Sequence, residues 1–85
     1  MGVTAVKARD QLRRYLFETL IPTPANAWPA DDADLYANGL DSLRLMQLLT
    51  FIEQDIGINL PDDEVTPERV GSVASIVEWI TNRNG

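Results

Sequence analysis

The chain has no cysteine and no histidine, and Lys7 is its one lysine. Without cysteine there is neither a disulfide framework nor a thiolate metal site. Without histidine, a Ser-His-Asp triad cannot be built within the chain, and zinc sites of His and Cys are excluded. Lys7 is far in sequence from any serine in a polar turn, so a Ser-Lys nucleophile is poorly supported. No catalytic residue is assigned. Long apolar runs are missing as well: nothing approaches the roughly 18 residues of a membrane span. The first residues show no apolar h-region, so no signal peptide is expected. Gly2 invites comparison with myristoylation motifs, but those require Ser or Thr where Val6 stands. These absences fit a cytoplasmic protein with no membrane contact.

A basic surface is also lacking. Net charge is −6, which argues against nucleic acid as a partner. The charge is uneven. Within residues 1–20, Lys7, Arg9, Arg13 and Arg14 face Asp10 and Glu18, a balance of +2; the rest sets three arginines against eleven acids, a balance of −8. Such acidity keeps a small domain soluble and can steer basic partners. The acidic run 31–34 fails as a calcium loop. Counting from Asp32, Asp34 fits, but Tyr36, Ala37 and Leu43 stand where a ligand, the glycine and the closing glutamate belong. Asp62 and Asp63 sit in a proline-broken turn and read as solvated. No metal site is expected.

What is present is helical patterning. The 85 residues, 45% of them apolar, suffice for one domain, residues 1–85, with a modest core. From about Thr4 to Leu20, Leu12, Leu16 and Leu20 recur at helical spacing, with Ala8 and Tyr15 near the same stripe. Pro22 and Pro24 end that helix. Residues 21–40 form a long loop, with Trp28, Leu35 and Leu40 as candidate pins to the core and a short turn near 34–38. A second helix is predicted from Ser42 to Ile56, capped by Asp41 and stopped by Gly57. Arg44 occupies the third helical position, so there is no capping box. Leu45, Leu48, Leu49, Ile52 and Ile56 form its inward stripe, while Leu43, Met46 and Thr50 lie on another side. Thr66-Pro67-Glu68 opens a short third helix to about Val70. Ser72 caps a last helix whose apolar face is Val73, Ile76, Val77 and Ile80, with Trp79 at the core's edge and Glu78 and Arg83 in solvent. The expected fold is all-α: a small four-helix bundle of three longer helices and one short one, with a long loop between helices 1 and 2.

The chemistry concentrates at Gly39-Leu40-Asp41-Ser42-Leu43. Glycine permits a sharp turn. The serine that follows opens an amphipathic helix whose inward stripe starts only at Leu45, so its hydroxyl should be exposed. A phosphate held there would sit at a helix N-terminus, where free N–H groups favour an anion. Asp41 opposes it by like charge, which suits an exposed phosphodiester. Read alone, however, Asp41-Ser42 is better explained as a helix cap.

With this signature, a preceding helix and long loop, and the spacing on to Leu60-Pro61-Asp62, Ile76 and Ile80, the chain resembles the acyl and peptidyl carrier protein family along nearly its whole length. The resemblance implies that Ser42 carries a covalent 4′-phosphopantetheine, moved from coenzyme A by a phosphopantetheinyl transferase. Gly39 and Asp41 would belong to that attachment site. The arm's thiol would then hold an acyl group as a thioester, supplying what a chain without cysteine lacks. The carrier itself would be no enzyme and a monomer. Its partners would be an adenylating acyl or aminoacyl ligase and downstream acyl-transfer enzymes. The family also implies a partner face at the start of helix 2: Leu43, Met46 and Thr50, flanked by Arg44 and Gln47. At helical spacing Leu43 and Met46 could be core residues instead, but the inward stripe already has its occupants.

The run from Leu40 to Met46, with Arg44 early and acids only at Glu53 and Asp55, is more similar to aminoacyl or aryl carriers, including stand-alone ones, than to the fatty-acid type. Amino-acid or aryl-acid cargo is therefore expected. The alternatives are a fatty-acyl or polyketide carrier and an unmodified helical interaction module.

Overall fold

Apolar residues at every third or fourth position can be buried only against similar stripes, and the computed structural model, which describes residues 5–84, packs four helices in this way. Gly2 and Thr4 lie outside the described residues, as do the side chains of Asp62 and Arg83. Helix α1 (Ala5–Tyr15) continues through a wider turn, Leu16–Leu20. Helix α2 (Ser42–Phe51) continues likewise through Ile52–Ile56. Helix α3 is short, Pro67–Val70, and α4 runs Val73–Asn84. No strand occurs among the described residues. Ile58 and Leu60 point into the core from an irregular segment, with Asn59 outside.

The ends are set by local chemistry. The side chain of Thr66 accepts the Arg69 amide, and Pro67 takes the first position, where no N–H is needed. Ser72 and Ser75 cap α4 reciprocally: the Ser75 amide donates to Ser72 Oγ at 3.1 Å and the Ser72 amide to Ser75 Oγ at 3.2 Å. Gly57 ends α2 with φ +87°, and the Gly57 and Ile58 amides both donate to the Ile52 carbonyl, at 2.8 and 3.3 Å.

The core is one cluster. Ala8, Leu12, Leu16, Phe17 and Leu20 of the first helix meet Leu48, Ile52 and Ile56 of the second and Val73, Ile76 and Ile80 of the last. α1 packs along α4, its final turn packs on α2, and α3 rests on α4. Leu45 and Leu49, expected inside, are only half-buried at the margin of this cluster. Trp79 is buried; its Nε1–H donates to Glu64 Oε1 at 3.3 Å, and the Arg69 guanidinium lies 5.5 Å from its ring centre. These contacts bind the segment before α3 to α4. The Cα radius of gyration is 11.8 Å, close to the roughly 11.9 Å of a tightly packed chain of this length.

The long loop is tied down rather than loose. Leu35 and Leu40 are buried, and Trp28 lies against Phe17. A short 3₁₀ turn, Ala25–Ala27, follows Pro24. The Leu35 amide donates to the Gly71 carbonyl and the Ala74 amide to the Asp31 carbonyl, at 2.8 and 2.9 Å. Arg9 and Arg13, mostly off the apolar stripe of α1, both grip the Asp31 carboxylate; Arg13 also donates to the Pro29 carbonyl at 2.7 Å. The Asp31 carboxyl is accordingly held below its ordinary pKa, first by the Arg9 hydrogen bond. The loop thus reaches α2 from a fixed direction.

Candidate functional site

The approach to Ser42 is built residue by residue. Asp34 Oδ1 accepts the Tyr36 amide at 2.9 Å and the Asp34 carbonyl accepts Asn38 Nδ2–H at 2.8 Å, which folds residues 34–39 into a tight turn. Gly39 leaves this turn at φ +115°, a conformation that side chains rarely tolerate; a Cβ there would also meet Ile21 Cγ2 at 3.4 Å. Leu40 then enters the core and its amide donates to the Leu35 carbonyl at 2.9 Å. With Leu40 anchored, Asp41 lies in extended backbone at the cap of α2, and Ser42, the first helical residue, is exposed.

Asp41 does more than cap. Its Oδ1 accepts the Arg44 amide at 2.9 Å, and its Oδ2 accepts Arg44 Nη1–H at 2.6 Å. The backbone bond from Arg44 first, and the guanidinium charge after it, hold the Asp41 carboxyl below its ordinary pKa. The negative charge that would oppose a phosphate at Ser42 therefore lies in an ion pair. Arg44 Nε–H also donates to the Leu20 carbonyl, at 2.9 Å, across to the end of the first helix. Its charged head is thus bonded to both helix ends while its side chain stays 42% exposed.

Leu43 and Met46 are each 67% exposed, whereas most other large apolar side chains are covered. Gln47 and Thr50 continue this face of α2, with Thr50 Oγ1–H donating to the Met46 carbonyl at 3.0 Å. Tyr36 is a further exposed aromatic, at 41%. It leaves the same turn that positions Ser42 and lies beside Gly71, at the end of α3. Sequence reasoning passed over it, although an aromatic beside the core residue Leu35 in a run of Asp, Ala and Asn was a usable signal. Leu43, Met46 and Tyr36 give the surface around Ser42 an apolar character. Residues 39–44 are contiguous around Ser42, and Thr50 lies about two turns further along α2.

The residues fit a covalently attached phosphopantetheine. Ser42 is accessible, the first-turn amides of α2 have no acceptor within the helix, and the neighbouring carboxylate is neutralised. A four-helix bundle that presents such a serine at the start of its second helix is the architecture of a carrier domain. The chain belongs to the phosphopantetheine attachment site family, whose model matches residues 10–80. It is 37% identical over 60 residues to an aminoacyl carrier protein of Agrobacterium fabrum, an alignment spanning 71% of each chain. It is 36% identical over 47 residues to the acyl carrier protein AsbD of Bacillus anthracis, spanning 55% of this chain and 48% of that one. Among solved structures it resembles a chain in the complex of an engineered Bradyrhizobium japonicum glycine:[carrier protein] ligase with a carrier protein from Agrobacterium tumefaciens and ATP. There the TM-score is 0.75 and the identity 32%, covering 88% of this chain and 97% of that one. The corresponding complex with AMP gives a TM-score of 0.70 at 33% identity.

Proposed function

We propose that residues 1–85 act as one carrier domain whose Ser42 holds 4′-phosphopantetheine and presents an aminoacyl or aryl-acyl group to partner enzymes. The observation that carries this reading is the exposed Ser42 at the first position of α2, beside a neutralised Asp41 and the exposed Leu43 and Met46. Attachment is a displacement at phosphorus. Ser42 Oγ forms a new P–O bond with the pantetheine phosphate of coenzyme A. The P–O bond to adenosine 3′,5′-bisphosphate breaks, and the hydroxyl proton leaves to the transferase or to water. The bound arm supplies a thiol on which an acyl group is held as a thioester. The chain's own residues then position: Gly39 and Leu40 fix the entry to α2, Asp41 and Arg44 cap it, and Leu43 and Met46 offer an adaptable apolar contact.

In this role the chain is not itself a catalyst. It raises the effective concentration of a tethered intermediate near each partner. Those partners are a phosphopantetheinyl transferase, an adenylating ligase and downstream acyl-transfer enzymes. Amino-acid cargo is favoured by the likeness to a protein named aminoacyl carrier protein and to a chain from a glycine:[carrier protein] ligase complex. The early part of α2 points the same way, with Arg44 there and acids only at Glu53 and Asp55. No helix among the described residues is long and apolar enough to cross a membrane. A cytoplasmic setting suits an arm whose thiol must stay reduced.

The test is intact-mass analysis after incubation with coenzyme A and a broad-specificity phosphopantetheinyl transferase. The wild-type chain gains one phosphopantetheine and Ser42→Ala gains none. No gain in the wild type with several transferases would favour an unmodified interaction module. Offering the modified protein to ligases with amino, aryl and fatty acids then identifies the cargo, and preferential fatty-acyl loading would overturn the aminoacyl assignment.

A further inference from the structure

The outer face of α2 continues past Leu43 and Met46. Leu43, Gln47, Thr50 and Gln54 recur at i, i+4, i+7 and i+11, the spacing of one helical face. Beyond Met46 this face changes character. Gln47, Thr50, Gln54 and Asp55 are exposed and polar. Phe51 is half-buried and stacks on Tyr15 of α1, with ring centres 4.1 Å apart and planes at 7°. Together these six residues line a groove of about 250 Å³ between the end of α1 and the outer side of α2. An aromatic pair bordered by side-chain amides suits a ligand that alternates alkyl and amide segments. The side-chain amides of Gln47 and Gln54 make no hydrogen bond to the described residues. Thr50 Oγ1, which gives its proton to the Met46 carbonyl, keeps lone pairs for an incoming N–H.

We propose that this groove receives the phosphopantetheine arm of Ser42 when no enzyme is bound, a role that rests on the carrier reading above. The lengths match. From phosphorus to sulfur the arm has about thirteen bonds, which fully extended span about 15 Å at main-chain dimensions. Its two amides then lie about 6 and about 10 Å from phosphorus. At about 1.5 Å per residue, Gln47 lies about 8 Å and Thr50 about 12 Å along α2 from Ser42. The gem-dimethyl group, nearest the phosphate, falls against Leu43 and Met46, both exposed. The amides meet Gln47 and Thr50, and the methylenes between them lie on the Tyr15–Phe51 pair. The thiol end reaches Gln54 and Asp55. Each contact is weak, but the tether supplies the arm at an effective concentration of about millimolar order. The direction is specific: the arm turns toward Tyr15 rather than toward Tyr36. An enzyme that covers Leu43 and Met46 displaces it, so one surface serves the resting arm and the partner in turn.

The test compares the isotopically labelled protein with and without the arm, free of partner enzymes, by NMR. Wild type and the double variant Gln47→Ala, Gln54→Ala are each modified from unlabelled coenzyme A, and intact mass confirms one arm per chain. In the wild type, methyl and methylene protons of the arm give isotope-filtered NOEs to the Tyr15 and Phe51 rings. Modification also shifts the side-chain amide signals of Gln47 and Gln54. In the double variant those NOEs are lost, and the Thr50 and Phe51 backbone amide signals stay at their unmodified positions. Both substitutions fall at exposed helical positions, where alanine is well tolerated, so the variant keeps the fold. Circular dichroism checks this; should the variant not fold, the wild-type NOEs alone decide. Shift changes confined to the residues next to Ser42 would overturn the proposal, as would NOEs to Tyr36 in place of Tyr15 and Phe51, or contacts that survive in the double variant. Failure of the wild type to gain the arm overturns the carrier reading itself, a result seen before any spectra are compared. An arm attached without these NOEs overturns the groove assignment and leaves the carrier reading standing.

Discussion

Gly39 and Asp41 stand on either side of Leu40 and set the entry to α2 by backbone conformation and by capping. Gly39 holds φ +115°, so Gly39→Ala introduces backbone strain of about 1–2 kcal/mol. Urea unfolding reads the loss, and the same variant gains phosphopantetheine more slowly because the start of α2 shifts. Asp41 and Asp31 make stability depend on pH. Both carboxyls titrate below the ordinary value of 3.8 in the folded chain, through bonds from Arg44 and Arg9 respectively. A lowered folded pKa adds stability that is complete above the unfolded value and disappears as pH falls through the folded one. The urea midpoint therefore stays level from neutral pH down to about pH 4–5 and drops below it. Asp31→Asn starts lower at neutral pH and shows a shallower acid drop; an unchanged acid limb would show that the Arg9–Asp31–Arg13 cluster adds nothing to folding.

Helix α2 has a buried face and an exposed face. Leu48, Ile52 and Ile56 are buried, while Leu43 and Met46 are exposed. The double variant Leu43→Ala, Met46→Ala should leave stability within about 1 kcal/mol, as substitutions at exposed positions do. It should raise KM for the adenylating ligase several-fold with little change in kcat, measured as aminoacylation of the modified protein. A fall in melting temperature with unchanged KM would make these two side chains structural. The Arg44 guanidinium is bonded to Asp41 and to the Leu20 carbonyl, and its side chain is 42% exposed.

The whole molecule depends on a single small core. A domain of this length is stable by about 4–13 kcal/mol, and deleting one fully buried leucine side chain costs about 2–5 kcal/mol. Leu48→Ala removes such a side chain where α2 meets the rest of the cluster. It should take away a large share of the total stability, read as a urea midpoint shift, and reduce modification in proportion to the unfolded fraction. The long loop shares in this economy of size. Anchored by Leu35, Leu40, Trp28 and the Arg9–Asp31–Arg13 cluster, it is part of the packed body.

Much of this was legible in the residues. Helical spacing of Leu12, Leu16 and Leu20, and of Leu48, Ile52 and Ile56, predicts the long helices and their buried faces, because neighbours three and four apart share a face in any helix. Asp41, Thr66, Ser72 and Gly57 mark the helix ends for reasons equally local, and Ser42 stands out by its motif. Exposure of Leu43 and Met46 followed from the occupied inward stripe. Only the tertiary structure decided which arginines face solvent and which hold the fold together. Arg9 finds Asp31 across 22 residues and Arg44 finds Leu20 across 24. It also decided that Leu45 and Leu49 lie at the core's margin and that Trp79 is inside. A surface cation has no periodic signature, and its partner is set by how two helices and a loop come to lie together. Ser42 was visible in the sequence; the tie from Arg44 to the Leu20 carbonyl that clamps the helix end beneath it exists only once the first helix is packed beside the second.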